Sequence, residues 1–458
     1  MSGLLGRSAL FERIRRRAAE RPTADAVVSA DGTALSYGAL VRAVAATAAL
    51  LRADGARPGE PVAVPTANTA ESIVTILAVA AMEAVPLLFE ANATAYERDR
   101  FMELAGAHRL VTPIVAPIVD GGSRPWPQPG SAARAEVALV TSGTNGIPKV
   151  VGKHWDAVTD NSVRFAEAAG YTGADRVLCT TPLHHAFAFG VVLVPVLFHG
   201  GTIVLAPHPP LPSALPGLLR DTGATVVQSV PFLYGAALRA APGHRPPTLR
   251  LCVSAGEPLP QTVGAAWREA FGVPLRDQYG ATELGQIAFA GQDGVLRPVP
   301  GVRVRIDGAD ADGEGELLVR VPGPRIRYLG QPELTGRAHA DGWFRTGDWG
   351  RVEGGAVVVS SRIGRRVVVA GRKVDPAEVE GALRALDGVR DCVVAVGDEA
   401  GYVAFVVADP PHSELSLRRA LAAVLSTYKI PKRLHLVPEL PRTSSGKVPM
   451  GSLWRTLA

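Results

Sequence analysis

Residues 141–149 form a glycine-rich segment whose hydroxyl groups and lysine are suited to holding a phosphate group. Its candidate ligands and turn formers are Thr141, Ser142, Gly143, Thr144, Gly146 and Lys149. Glycines let the backbone approach an anion, hydroxyls and exposed N–H groups donate to its oxygens, and the lysine adds a positive charge. The segment lacks the Gly-Lys-Ser/Thr ending of a P-loop, so that geometry is not expected. A polar turn between a strand and a helix is the structural alternative.

The segment Tyr279-Gly280-Ala281-Thr282-Glu283 carries a second set of chemically useful side chains. The tyrosine offers a face for stacking, the glycine permits a tight turn, and the threonine supplies a hydroxyl for phosphate. The glutamate provides an oxygen ligand for a hard cation such as magnesium. Taken alone, an ordinary loop is the alternative interpretation.

Two further segments add a carboxylate and a lysine. Thr346-Gly347-Asp348 follows an aromatic pair, and one carboxylate there can accept hydrogen bonds from both hydroxyls of a ribose. A surface turn is the alternative. Near the C-terminus, residues 441–447 place Lys447 on a Gly/Ser/Thr loop, where a lysine is conspicuous because the chain has 6 lysines among its 48 basic residues.

The elements that must position these groups follow α/β patterning over about the first 290 residues, where short apolar strands alternate with amphipathic helices. Helices are predicted at residues 40–51 and 70–82, and strands at 62–64, 177–179, 203–205, 225–227 and 249–253. Continuous β-branched runs are typical of strands buried on both faces. The polar segments fall where strands should end, and open α/β sheets gather their ligands there.

Two more regions follow this α/β part. Between about 300 and 370 the pattern contains no helix, and strands are predicted at residues 302–306, 317–321, 356–359 and 367–369. A compact α+β unit comes next, with helices near 376–386 and 416–425 and strands near Val393 and Val403.

We therefore predict an α/β fold with two domains. The large N-terminal domain, residues 1–361, would contain mixed α/β sheets and a β-rich part at about 295–361. The small α+β C-terminal domain would cover residues 362–458. The boundary is placed in the polar, glycine-containing segment 361–364, which we expect to be a turn.

Composition excludes several functional classes. The net charge of +5 is spread along the chain, and the densest basic run, residues 13–17, falls on the solvated face of a predicted helix, so no nucleic-acid partner is expected. Cys179, Cys252 and Cys392 lie far apart in apolar contexts typical of buried core residues. No apolar stretch reaches membrane length, and we expect a cytoplasmic protein without a membrane span.

Taken together and in this order, these segments resemble the adenylate-forming superfamily, which includes acyl- and aryl-CoA synthetases, adenylation domains of nonribosomal peptide synthetases, and luciferases. Further matching segments are residues 35–37, 182–185, 254–260, 315–317 and 371–380. The resemblance covers almost the whole chain. It implies that the C-terminal domain is a lid, that the active site lies between the two domains, and that the lid rotates between two reaction steps.

The resemblance also implies the reaction and its co-substrates. A carboxylic acid attacks the α-phosphate of ATP, with Mg²⁺, to form an acyl-adenylate and pyrophosphate. A thiol, that of CoA or of a carrier-protein phosphopantetheine, then displaces AMP. CoA is the expected co-substrate.

Roles for the nucleotide-binding residues follow from the same resemblance. Residues 141–149 would hold the β and γ phosphates, Thr282 would contact the α-phosphate, and Glu283 would bind magnesium. Asp348 and Arg362 would bind the ribose hydroxyls. The adenine pocket would contain Gly256, Glu257, Pro258, Asp277, Gln278, Tyr279 and Gly280, with Tyr279 stacked on the ring and Asp277 reaching its amino group.

The resemblance makes Lys447 the residue that bridges the attacking carboxylate and the phosphate, so its loss should affect mainly adenylation. Lys447, Thr282, Glu283 and His185 are the candidate catalytic residues. Family members often carry an acidic or lysine hinge residue two positions after the equivalent of Arg362, and this chain has Gly364 there. A glycine can absorb the torsion change of a hinge but lacks the side chain.

The acid pocket is less well defined by the sequence. The resemblance places it beside His185, Phe187, Phe189, Ala255 and Gly280. Segment 183–190 lacks the aspartate that binds the α-ammonium group in amino-acid-activating domains, so an α-amino acid is disfavoured. Ala186 stands where salicylate-type activators often have an asparagine. The apolar, aromatic lining favours an aryl or a short to medium apolar acid. Adjacent His184 and His185 lack a third ligand at suitable spacing, so a metal site is not expected there.

Three functions stay open at this point. The first is a CoA ligase. The second is a stand-alone adenylating enzyme that passes its adenylate to a carrier protein or a non-thiol nucleophile. The third is a catalytically inactive homologue that binds a nucleotide or a partner. The oligomeric state, monomer or homodimer, is also open.

Overall fold

The computed structural model describes residues 5–115, 136–141, 149–208, 210–240, 246–311, 313–363, 367–369, 372–374, 376–397, 401–425, 427–443, 448–449 and 453. Contacts divide the chain into two units. The first unit comprises residues 1–259, 263–303 and 320–342, and the second comprises residues 260–262, 304–319 and 343–458. The domain boundary at residue 361 stays a prediction.

The helices and strands have the following bounds. The strands are β1 (Asp25–Val28), β2 (Ala34–Ser36), β3 (Pro61–Thr66), β4 (Val85–Glu90), β5 (Arg109–Leu110), β6 (Glu136–Thr141), β7 (Lys149–His154), β8 (Arg176–Cys179), β9 (Thr202–Leu205), β10 (Val226–Ser229), β11 (Leu251–Ala255), β12 (Leu275–Ala281), β13 (Gly285–Ala290), β14 (Leu296–Pro298), β15 (Arg303–Asp307), β16 (Gly315–Arg320), β17 (Arg327–Tyr328), β18 (His339–Ala340), β19 (Trp343–Glu353), β20 (Ala356–Arg362), β21 (Val367–Val369), β22 (Arg372–Val374), β23 (Val389–Gly397), β24 (Gly401–Ala408) and β25 (Arg433–Leu436). The α-helices are α1 (Arg7–Glu20), α2 (Tyr37–Ala53), α3 (Ala70–Ala81), α4 (Ala95–Ala105), α5 (Trp155–Ala169), α6 (Ala186–Ala188), α7 (Val194–His199), α8 (Leu215–Asp221), α9 (Pro231–Ala240), α10 (Gln261–Phe271), α11 (Pro332–Ala338), α12 (Pro376–Arg384) and α13 (Glu414–Val424). A π-helical turn, Phe189–Leu193, joins α6 to α7, and 3₁₀ turns lie at Pro212–Ala214 and Thr427–Lys429.

A nine-stranded sheet in the order β14-β13-β12-β11-β10-β8-β9-β1-β2 is the main element of the first unit. Its centre, from β12 to β1, is parallel. Every residue of β10 and β11 is buried, as expected for apolar strands covered on both faces. The strands predicted at 177–179, 203–205, 225–227 and 249–253 are therefore confirmed as β8 to β11, within two residues at their ends.

A second sheet of the first unit has the order β17-β7-β6-β4-β3-β5. Strands β3, β4 and β6 are parallel, whereas β6 and β7 form an antiparallel pair whose last partners are Thr141 and Lys149. The segment 141–149, which is predicted to hold phosphate and which we call the phosphate loop, therefore connects two antiparallel strands. The alternative of a strand-to-helix turn is wrong, because β7 lies between this loop and the next helix, α5.

Side-chain caps fix the starts of several helices in the first unit. The hydroxyls of Ser36 and Thr69 accept hydrogen bonds from backbone N–H groups of α2 and α3, and Thr94 forms a capping box with Glu97 at α4. Both predicted helices, 40–51 and 70–82, correspond to α2 and α3. In the described part of the chain, no helix has the length and apolar character needed to cross a bilayer.

In the second unit, β16 pairs with β19, and β19 pairs with β20. Farther along, β23, β24 and β25 form a sheet that shares a hydrophobic core with residues of α12 and α13.

The turn predicted to begin at Ser361 is wrong for its first two residues. Ser361 and Arg362 continue β20, because they pair with Trp349 and Asp348 across the hairpin. The expectation of no helix between 300 and 370 is also wrong. The short helix α11 lies in that range, opened by Pro332 at a position where its missing N–H costs nothing.

Trp267 is a suitable probe of the core behind the nine-stranded sheet. Its ring is fully buried, stacks on Phe271 at 4.0 Å and meets Tyr234 edge-on at 4.7 Å between ring centroids. We predict that Trp267→Ala lowers the free energy of unfolding by about 3–5 kcal/mol through lost burial and a cavity. Urea denaturation followed by circular dichroism measures this. The control is Tyr96→Ala, an aromatic truncation at a side chain that is 81% exposed; equal stability of the two variants would contradict the prediction.

Candidate active site

The turn between β12 and β13 carries Thr282 and Glu283 and is unusually tight. The N–H of Leu284 donates to the carbonyl of Ala281 at 3.1 Å, and Gly285 adopts a φ of +83°. A Cβ on Gly280 would lie 2.5 Å from the carbonyl oxygen of Gly285. The backbone therefore requires glycine at Gly280 and Gly285, and the turn between them presents its threonine and glutamate in one fixed conformation. We call residues 280–286 the site hairpin.

Three side chains from other elements hold the site hairpin. Lys153 of β7 donates its ammonium to the carbonyl of Thr282 at 3.0 Å. Tyr328 of β17 donates its hydroxyl to Oε1 of Glu283 at 2.7 Å. The amide of Asn161 in α5 bonds both the N–H and the carbonyl of Gln286, each at 2.8 Å. Both sheets of the first unit and one helix thus meet at this turn.

Tyr328 also connects the site hairpin to the start of β7. The ammonium of Lys149 lies 5.3 Å from the centroid of the Tyr328 ring, on whose face a cation is attracted. Lys149 and Glu283 are therefore brought to the same phenol from distant parts of the sequence. Thr141 pairs directly with Lys149 at the mouth of the loop. Ser142, Gly143, Thr144 and Gly146 lie outside the described residues.

Burial perturbs two ionisable groups near the hairpin. It lowers the pKa of Lys153 to about 8, opposed by the attraction of Glu283. It raises the pKa of Asp277 to about 7, opposed by hydrogen bonds from the backbone of Gln278 and Leu259. Both groups are thus close to titration near neutral pH, a property common at functional sites.

The predicted adenine-pocket residues gather at the carboxyl ends of two adjacent parallel strands. Strand β11 pairs with β12 so that Ala255 lies opposite Gln278. The chain turns immediately afterwards at Gly256, whose φ is +96°, and continues through the partly buried Glu257 and the exposed Pro258. Tyr279 and Gly280 follow on the neighbouring strand. The sheet therefore brings segments 255–258 and 277–280 together.

The segment predicted to line the acid pocket begins where β8 ends. His185 is the N-cap residue of α6, and Phe187 is partly buried. Phe189 is buried, with its ring centroid 5.4 Å from that of Trp155. A Cβ on Gly190 would lie 2.6 Å from the side-chain nitrogen of Gln286, so this helix packs closely on β13.

His184 belongs to the interior beside this segment. Its side chain is buried, its ring centroid lies 4.4 Å from that of His185, and burial lowers its pKa to about 3, with a further contribution from His208. It is therefore neutral at physiological pH. Among the described residues no group of three or more His, Cys, Asp or Glu side chains could hold a metal ion.

The second unit contains the two predicted ribose ligands. Asp348 and Arg362 lie opposite each other in the β19–β20 pair, with Nε of Arg362 3.0 Å from Oδ1 of Asp348. The N–H of Asp348 donates to the hydroxyl of Thr346 at 3.0 Å, and Gly347 has a φ of +70°. The structure thus brings this pair together. Lys447 and Gly364 lie outside the described residues.

Three residues of this site were missed by the sequence analysis: Lys153, Tyr328 and Asn161. For Lys153 a signal existed, because it follows Lys149 by four positions on a strand, which places both side chains on one face, in a chain poor in lysine. Nothing in the sequence around Tyr328 or Asn161 marks them, since their partners are far away along the chain.

Glu283 also fits the magnesium expected beside a bound nucleotide. Magnesium in such sites is held by one or two carboxylates together with phosphate oxygens and waters. Tyr328 orients the Glu283 carboxylate through Oε1. A single oriented carboxylate, in a turn predicted to contact phosphate, is a donor set that such an ion could use.

Comparison with known proteins gives consistent matches over the chain. The sequence model described as AMP-binding enzyme matches residues 14–329, and that of the AMP-binding enzyme C-terminal domain matches residues 378–447. Feruloyl-CoA synthase from Amycolatopsis sp. is 32% identical, over 96% of this chain and 97% of its own length. Benzoate–CoA ligase from Thauera aromatica is also 32% identical, over 68% of this chain and 64% of its own length.

A solved structure matches as broadly. The crystal structure of ATP-bound MatB from Rhodopseudomonas palustris superimposes with a TM-score of 0.87 at 26% identity and covers 98% of both chains. The mixed α/β sheets of the large N-terminal part and the small C-terminal part are therefore confirmed as a fold class.

The two hydrogen bonds between the Asn161 amide and Gln286, which we call the Asn161 clamp, lead to a prediction about the site hairpin. Asn161→Ala removes both hydrogen bonds to Gln286 and leaves its buried backbone groups without them, which costs about 1–3 kcal/mol for each group. We expect faster amide hydrogen exchange in residues 281–287, measured by mass spectrometry. Asn92→Ala, at an exposed loop position, is the matched control. Unchanged exchange in the Asn161 variant would show that the clamp does not hold the turn.

Proposed function

Because this chain belongs to the family of AMP-binding enzymes, we propose that it activates an aryl or apolar acyl carboxylic acid with ATP and transfers the acyl group to the thiol of CoA. It is an AMP-forming acid:thiol ligase. The observation that carries the proposal is that Lys149 and Glu283 both contact Tyr328. The ammonium of Lys149, the candidate phosphate ligand, lies over the ring, and the carboxylate of Glu283, the candidate magnesium ligand, accepts a hydrogen bond from the hydroxyl.

In the first step, a carboxylate oxygen of the acid forms a bond to the α-phosphorus of ATP, and the bond to pyrophosphate breaks. Thr282 would donate its hydroxyl to the α-phosphate, and Lys149 would neutralise the departing phosphates. Glu283 would hold magnesium, which supplies positive charge to the phosphate oxygens. Lys447 would offset the charge that develops between the carboxylate and the phosphate.

In the second step, the thiolate of CoA attacks the carbonyl carbon of the acyl-adenylate, and AMP leaves with the electron pair of the broken C–O bond. The acid alone is a poor electrophile, whereas the mixed anhydride has a good leaving group. Asp348 and Arg362 would hold the ribose through both steps by accepting from and donating to its hydroxyls.

The aryl or apolar preference is supported by the residues near the proposed acid pocket. Phe187 and Phe189 are aromatic and apolar, His185 carries an aromatic imidazole ring, and no carboxylate lies in segment 183–190 to bind an ammonium group. Relatives named for ferulate and benzoate match this chain at 32% identity. Both support an aromatic acid.

The direct test measures pyrophosphate release from ATP and magnesium with a panel of aryl, fatty and amino acids, each with and without CoA. We expect release with an aryl or apolar acid, acceleration by CoA, and an acyl-CoA product detected by mass spectrometry. Lys447→Ala should lower the release roughly 100- to 1,000-fold, the loss typical of a group that stabilises transition-state charge. Lys432→Ala, at an exposed lysine, should match the wild type.

Other results of this assay would favour the alternatives. Release that CoA leaves unchanged would indicate a carrier protein or a non-thiol nucleophile as acceptor, an alternative that Gly364 at the expected hinge position leaves open. Release with α-amino acids alone would contradict the proposed acid class. Nucleotide binding without release for any acid would favour a non-catalytic protein.

The elevated pKa of Asp277 predicts a pH dependence of ATP use. Because its pKa is about 7, the carboxyl is protonated in the free protein below that pH and is then a weaker acceptor for the adenine amino group. We expect kcat/KM for ATP to fall as the pH drops below about 7, by up to tenfold per unit. Asp277→Asn should remove this inflection. If kcat/KM of the wild type for ATP did not change between pH 6 and 8, the proposed role of Asp277 in binding the adenine amino group would be contradicted.

A further inference from the structure

We propose that Lys153 is a positioning residue for the adenylation step. Its buried ammonium donates a hydrogen bond to the carbonyl of Thr282 and so orients the site hairpin. It also adds positive charge next to the hairpin residues that would bind magnesium and ATP. The inference rests on the proposed function, because the reaction affected is the attack on the α-phosphate. Lys153 itself is not expected to touch the substrate.

The position of Lys153 is defined by its burial and by two distances from its ammonium nitrogen. Its side chain is 6% exposed, and its ammonium lies 3.0 Å from the carbonyl oxygen of Thr282. A Cβ on Gly285 would lie 3.6 Å from the same nitrogen. The hydrogen bond from Lys153 is accepted by the backbone carbonyl of Thr282, and not by the side-chain hydroxyl that would contact phosphate. Lys153 therefore orients the residue and leaves its side chain to the ligand.

The charged groups on the elements around β7 have other partners. Glu136 of β6 pairs with Arg327 of β17 at 2.6 Å, and Asp160 of α5 pairs with Arg164 at 2.7 Å. Lys149 lies over Tyr328. Glu283 is the carboxylate that acts on Lys153 electrostatically. The charge of Lys153 is thus directed at the site hairpin.

Holding a cation in this position costs free energy in the free protein. Burial disfavours the charged form, as the lowered pKa of Lys153 shows. A neutral side chain would avoid that desolvation cost, although an apolar one would leave the carbonyl of Thr282 without its donor. The charge is useful when a triphosphate binds, because an ammonium in a water-excluded site stabilises nearby negative charge far better than one in solvent.

A purely structural lysine and a positioning lysine predict different results for the two half-reactions. Loss of a structural group would impair ATP use and thioester formation together and would lower the melting temperature. Loss of the proposed function of Lys153 would impair mainly the steps that involve the triphosphate and magnesium. Transfer of the acyl group from a preformed acyl-adenylate to CoA would be impaired less, because the acyl-adenylate keeps only the α-phosphate.

The experiment uses the full-length protein with Lys153→Met, Lys153→Arg and the exposed control Lys432→Met. Four quantities are measured: the melting temperature, MgATP binding by calorimetry, pyrophosphate release with the best acid, and thioester formation from synthetic acyl-adenylate and CoA. For Lys153→Met we expect MgATP affinity and pyrophosphate release to fall roughly 10- to 100-fold, the loss expected for a hydrogen bond to a charged group. Thioester formation should fall clearly less than pyrophosphate release, and the melting temperature should fall only by the few degrees expected for the loss of one buried hydrogen bond.

The companion variants separate charge from shape. Lys153→Arg keeps the charge and should recover at least part of the MgATP affinity. Lys432→Met should behave as wild type in all four measurements. If Lys153→Met does not fold, Lys153→Gln replaces it, since glutamine keeps a donor for Thr282 without the charge.

Two outcomes would overturn the inference while leaving the proposed function intact. One is wild-type MgATP binding and pyrophosphate release in Lys153→Met. The other is a loss in thioester formation as large as the loss in pyrophosphate release. If the wild type releases no pyrophosphate with any acid, the proposed function fails instead; MgATP binding then decides the inference, which is supported by weaker binding to Lys153→Met and overturned by equal binding.

Discussion

The three-sided clamp on the site hairpin is the constraint on which the rest of the site depends. A three-residue turn between two strands has few internal hydrogen bonds, so its conformation is set by its surroundings. Here an ammonium, a phenol and an amide, from β7, β17 and α5, each bond a different residue of the hairpin. Because the hairpin belongs to one sheet of the first unit and two of its three partners belong to the other, the position of the turn depends on how the two sheets pack.

The clamp also explains why the residues around it tolerate little variation in shape. Gly190 packs on the side chain of Gln286, and Gly285 packs on that of Asn161, so that a Cβ would lie 2.6 Å and 2.4 Å from their respective atoms. The same amide that fixes the hairpin thus also fixes the distance between β13 and α5. Segment 183–190, which we propose to line the acid pocket, and the site hairpin, which we propose to bind the nucleotide, are therefore linked through β13, since Gly190 packs on Gln286.

Much of this arrangement was predictable from sequence, for identifiable reasons. The apolar runs gave β8 to β11 because strands buried on both faces have few alternatives, and the motif order identified the family. The pairing of Asp348 with Arg362 could be expected only from the family resemblance. Tyr328 and Asn161 could not be found because their partners are distant in sequence, and hydrogen bonds between such residues leave no periodic pattern. Lys153 could have been found from its spacing to Lys149, which places both lysines on one face of a strand. The short helix α11 was missed because its seven residues span too few turns to show a periodicity.

The ion pair between Asp348 and Arg362 in the second unit would constrain how a ribose binds at the proposed nucleotide site. Asp348 is buried and already bonded to Arg362 through Oδ1, and its environment is shaped by Thr346 and the bend at Gly347. Breaking a partly buried ion pair would leave a carboxylate without its cation, which is costly. A carboxylate has about four acceptor sites, however, so an ion pair with one guanidinium nitrogen does not by itself prevent it from accepting other hydrogen bonds. In the proposed function, ribose hydroxyls would therefore bond Asp348 while its pair with Arg362 stays intact, so that the ion pair would orient the carboxylate before the nucleotide arrives.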